Sequence, residues 1–97
     1  RAYIDMITTG DTLPSGDSNA LRNFYVSTRD CIATLHQMCY TSELTSLDVL
    51  QRTIRRIPGD KRVKWNDFVR NICRTREPTL LDLERWLKDC VESEFNP

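Results

Sequence analysis

Residues 18–40, SNALRNFYVSTRDCIATLHQMCY, place Leu21, Phe24, Tyr25, Thr28, Cys31, Ile32, Leu35 and Cys39 at steps of three and four residues. That spacing gathers apolar side chains on one face of a long α-helix. Asp17 or Ser18 supplies a side-chain oxygen for the first free amides, and Leu13-Pro14-Ser15-Gly16 before them forms a loop that Pro14 and Gly16 separate from any earlier helix. A helix of this length with one apolar stripe needs partners to cover it, and the rest of the chain provides them in the same form.

Downstream, residues 43–57 carry Leu47, Leu50, Ile54 and Ile57, with Ser42 as the expected cap and Pro58-Gly59 as the stop. Asp60 is then expected to cap a third helix, over 61–74, with the stripe Trp65, Phe68, Val69, Ile72 and Cys73; Glu77-Pro78 breaks it. Thr79-Leu80-Leu81-Asp82 approximates a capping box for a fourth helix over 80–94. Its stripe is Leu80, Leu83, Leu87, Cys90 and Val91, flanked by Trp86 and Phe95, with Glu84 to Lys88 and Arg85 to Asp89 as supporting pairs.

Residues 1–8, with Tyr3, Ile4, Met6 and Ile7, read as the tail of an earlier helix in an excised piece, so that 1–10 forms a tail and linker and 11–97 the domain. No segment alternates with period two. The expected fold is therefore all-α, a compact four-helix bundle with a short N-terminal helical tail.

The composition narrows the function classes. His36 is the only histidine, and Gly10, Gly16 and Gly59 are isolated, so neither a phosphate loop nor a nucleophile with its oriented base is spelled out. The cysteines, Cys31, Cys39, Cys73 and Cys90, lack the close pairs of a zinc or redox motif and read as small apolar residues, reduced in a cytosolic chain without a signal peptide. Neither a catalytic group, a cofactor nor a metal is expected. The longest apolar runs are a few residues, too short to cross a bilayer as a helix.

Formal charge is zero but unevenly placed. Residues 51–76 carry nine basic and two acidic side chains, a net +7, whereas residues 1–50 come to −3 and 77–97 to −4. Such polarity complements itself between copies of one protein, or draws nucleic acid to the basic segment. Arg52, Arg55, Arg56, Lys61, Arg62 and Lys64 straddle a turn and are the candidate phosphate contacts for weak, non-specific RNA binding. On the second helix Val49 falls away from the Leu47/Leu50/Ile54 stripe, beside Thr45, Arg52 and Arg56, with Leu44 on another side; these five are the candidate protein contact, and Val63 and Leu81 are similarly out of phase.

Four features in order carry a family likeness. Pro14-Ser15-Gly16-Asp17 leads into Ala20-Leu21-Arg22-Asn23-Phe24; Leu35 to Tyr40 closes the first helix; Ile57-Pro58 is followed by Lys61, Arg62, Lys64 and Trp65; and Arg76-Glu77-Pro78-Thr79-Leu80-Leu81-Asp82-Leu83 opens the last. Over Gly10 to Pro97 the chain resembles the C-terminal part of the capsid-like region in Gag polyproteins of BEL/Pao-type LTR retrotransposons, with Lys61 where that family commonly has leucine. The resemblance implies a fold like the retroviral capsid C-terminal domain. It also implies a partner N-terminal capsid domain, self-association through the second helix, and a cytoplasmic particle shell around RNA that zinc knuckles further along the polyprotein hold. An element protein and a domesticated host copy, where the same module would dimerise a regulatory protein, are both compatible with it.

Overall fold

Asp17 settles where the long helix begins: its Oδ1 accepts the Ala20 amide at 3.0 Å, satisfying one of the donors that a helix start leaves free. A computed structural model describes residues 2–95 and forms, among them, six α-helices: α1 (Ala2–Thr8), α2 (Ser18–Gln37), α3 (Thr41–Leu44), α4 (Leu47–Ile54), α5 (Gly59–Ile72) and α6 (Leu80–Phe95). The all-helical expectation holds.

The core is built around α2 and α6. Leu21, Phe24, Thr28, Cys31, Ile32 and Leu35 are buried on the first, and Leu80, Leu83, Trp86, Leu87 and Val91 on the second. Ser18 at the start of α2 meets Glu94 at the end of α6, while the Tyr25 hydroxyl, further along α2, donates to Glu84 at 3.4 Å. The two helices therefore run antiparallel. Each side chain of Leu, Ile or Trp taken fully from water in such a stripe contributes about 1.5 to 3 kcal/mol. The Cα radius of gyration is 12.9 Å, near the ~13 Å of a close-packed domain of this length.

Three sequence expectations need correction. First, α1 is no appendage: Ile4 and Ile7 belong to the same apolar core as α2 and α6, Ile7 with no exposed surface. Second, the helix expected over 43–57 is broken at Thr45-Ser46 into α3 and α4. Its cap is Ser46, whose Oγ accepts the Val49 amide at 3.3 Å, and not Ser42. The break resets the helical phase, so Leu44 and Val49 face the core at 3% and 6% exposure while Leu47, expected in the stripe, is 44% exposed. Third, α5 begins at Gly59 behind Pro58, which places Asp60 inside the first turn, where it accepts a hydrogen bond from the Ser15 hydroxyl at 2.8 Å and ties down the 14–17 loop.

Smaller departures follow the same logic. The long helix closes at Gln37, with the Cys39 amide on the His36 carbonyl and the Tyr40 amide on the Leu35 carbonyl, the paired bonds of a Schellman turn. Cys39 and Cys73 are exposed rather than packed; Cys31 is buried and Cys90 half-buried, and all four are free thiols. Trp65 is buried as expected, and its ring meets that of Trp86 on α6 edge-on, centroids 5.5 Å apart.

Candidate functional site

A cation is available to a ligand only if the chain has not already used it. Of the six basic side chains from Arg52 to Lys64, four are engaged inside the domain. Arg52 pairs with Asp48 one turn back at 3.2 Å. Arg56 reaches across to the N-terminal segment, Nη1 donating to the Met6 carbonyl at 3.0 Å and Nε to the Asp11 carbonyl at 3.5 Å, with the guanidinium 5.1 Å over the Phe24 ring. Arg62 turns back to donate to the carbonyls of Arg55 and Ile57 at 3.2 and 3.0 Å, satisfying acceptors that the end of α4 leaves free. Lys61 pairs with Glu94 at 2.9 Å, both largely covered; the Glu94 carboxylate holds the lysine above its ordinary value, and the Ser18 hydroxyl, with Lys61 second, holds Glu94 below its own.

Arg55 and Lys64 remain as exposed side chains without an ion pair among the described residues. The sequence therefore brings these six cations near one turn, but not to one open surface.

The expected protein contact on the second helix is also rearranged. Leu44 and Val49 lie in the core, the Thr45 hydroxyl bonds back to the Thr41 carbonyl at 3.3 Å, and Arg56 is bound to the N-terminal segment. That set does not form an outward apolar face. Val63 and Leu81, by contrast, are exposed as their phase predicts, at 62% and 43%.

On α5 only Trp65 of fourteen residues is buried; Phe68, Val69 and Ile72 are half-covered and Cys73 is exposed. A helix of this length ordinarily buries a stripe, as α6 does with six residues of sixteen.

Two clefts stand out on the surface. The larger, about 630 Å³, surrounds the start of α6 and includes Arg76, Leu81, Arg85 and Lys88. Its floor is Asp82, buried and saturated: Arg76 grips both oxygens at 2.7 Å, the Thr79 amide donates at 2.8 Å and Arg85 at 3.3 Å. The Arg76 hydrogen bonds, with those from Thr79, hold this carboxyl below the usual carboxylate range against the opposing effect of burial. Half of the expected capping box is thus present, the acid returning to the Thr79 amide, while the Thr79 hydroxyl turns to the same carboxylate. Arg85 joins Asp82 and Glu84 accepts from Tyr25, in place of the expected pairs with Asp89 and Lys88.

The smaller cleft, about 260 Å³, was not legible in the sequence. Thr8, Gly10, Asp11 and Thr12 form one side, and Arg52, Arg55 and Arg56 the other. Reading residues 1–10 as a tail hid it; the only signal was the run of small polar residues Thr8-Thr9-Gly10-Asp11-Thr12. Among the described residues no group of three or more His, Cys, Asp or Glu side chains is placed to hold a metal. No described helix is long and apolar enough to cross a membrane.

Comparison with protein-family models, curated proteins and solved structures returned no match for this chain.

Proposed function

We propose that this chain is a protein-binding, self-associating domain of the capsid type, and that a second copy of the chain covers α5. The sparse burial of α5 supports this reading: Val63 stands open in a helix that buries Trp65 alone. A second copy is favoured as occupant by charge. The net +7 of residues 51–76 faces −3 and −4 in the flanking segments of the same chain, so the basic region of one copy complements the acidic regions of another. Contact between unlike surfaces repeats from copy to copy and builds rings or open arrays, as a shell requires. The Gag-like order of motifs points the same way, with α5 replacing the second helix as the proposed contact.

Sedimentation equilibrium of the chain up to ~1 mM tests this, since a contact of about −4 kcal/mol is half-populated there. Reversible association that weakens with salt and is abolished by Val63→Asp, with the helical circular dichroism retained, is the expected result. A chain that stays monomeric throughout, or associates equally well as Val63→Asp, removes α5 from the proposal. RNA binding through the 52–64 cations ranks below assembly, because four of the six are engaged within the domain.

A further inference from the structure

The small cleft beside α4 has the chemistry of an anion site. Arg52, Arg55 and Arg56 stand on one wall, and Asp11 is the one carboxylate among its lining residues. The bonds that fix Arg56 use its Nε and Nη1 atoms, so the Nη2 hydrogens of a rigidly held guanidinium stay available. Arg55 is exposed, and its backbone is anchored by the Thr12 hydroxyl, which donates to the Arg55 carbonyl at 2.8 Å.

On the opposite wall, none of the amides of Gly10, Asp11 and Thr12 hydrogen-bonds to another described residue. Gly10 has a φ of +114°, a backbone conformation that favours glycine, and its position lies within van der Waals reach of the Arg56 guanidinium. Unpartnered amides in a loop that lines the same cleft as three guanidinium groups are donors that an oxyanion can recruit beside those charges.

We propose that this cleft binds a phosphate group, with Arg55 as its free cation, Arg56 as its fixed one, Arg52, which it shares with Asp48, as a third, and the unpartnered amides of residues 10–12 as further donors. The volume suits a small phosphate better than the 300 to 1,000 Å³, roughly, of a drug-sized ligand. The phosphate belongs either to a free polyphosphate or to a nucleic-acid backbone, and the two sources separate experimentally.

The test is a titration of the ¹⁵N-labelled 97-residue chain at constant ionic strength, one arm with inorganic pyrophosphate and one with a single-stranded RNA lacking terminal phosphates. Amide shifts concentrated in residues 8–12 and 52–56, saturable and weakened roughly tenfold by Arg55→Ala, are expected in the arm that carries the true source. Asp11→Asn, which removes the carboxylate that lines the cleft, tightens the same arm. Arg55→Ala leaves the helical circular dichroism unchanged, since its side chain makes no contact that holds the fold. Shifts spread equally over Lys64, Arg70 and Lys88, insensitivity to Arg55→Ala, or no saturable shift in either arm overturns the proposal.

Discussion

At Cys39 a side-chain-bearing residue occupies the left-handed conformation, φ 58°, because the Schellman turn closing α2 requires it there. An L-residue with a Cβ is disfavoured in that region by about 1 to 2 kcal/mol, whereas glycine is not. Cys39→Gly is therefore expected to stabilise the chain by about 1 kcal/mol, raising the melting midpoint by roughly 4 to 8 °C in a domain this small. A midpoint that falls would mean the cysteine side chain holds something the turn does not explain. Asp82 offers a second residue-scale outcome. Its folded carboxyl is depressed below the ordinary value near 3.8, so the stability it contributes is complete above that value and is lost as pH falls through the lower folded one. Asp82→Asn should lower stability by roughly 1 to 3 kcal/mol at neutral pH, with the gap to the parent closing below about pH 4 in urea melts run down the pH scale.

Elements were legible where one stripe runs unbroken. α2 and α6 were read correctly because twenty and sixteen residues repeat the helical period many times over and tolerate an error at either end. The α3/α4 break was not, since Thr45-Ser46 holds neither glycine nor proline, and a single residue of slip turns a helix face by about 100°. The consequence is testable on two neighbours. Val49→Asp places a carboxylate in the core and should cost on the order of 3 kcal/mol or more, while Leu47→Asp should change stability by less than about 0.5 kcal/mol. Equal effects in chemical denaturation would restore the continuous helix. The candidate contacts were misplaced for the same reason, and the anion cleft escaped notice because its two walls lie over forty residues apart in the chain, joined at Thr12 and Arg55.

For the whole molecule, Trp65 is the one fully buried side chain by which α5 joins the core, beside the half-buried Phe68 and Val69 and the Lys61 to Glu94 ion pair. Trp65→Ala should cost about 3 to 5 kcal/mol, a large part of the roughly 5 to 15 kcal/mol that keeps a domain folded, and near-ultraviolet circular dichroism should lose the signal of the Trp65 and Trp86 pair. A variant that keeps the parent's melt would make α5 an independent arm. Self-association through α5 should then make the parent's melting midpoint rise with protein concentration and fall on dilution.

The clasp of Arg56 on the Met6 carbonyl joins residues fifty positions apart. During synthesis α1 emerges ahead of the other five described helices, yet the side chain that fastens it does not exist until fifty more residues have been added. At about 5 to 20 residues per second the wait lasts roughly 3 to 10 s. Through that interval Ile4 and Ile7 have no finished core to enter, so α1, made ahead of the other described helices, is among the last of them to be secured, and a chaperone that grips short apolar segments has its opening there.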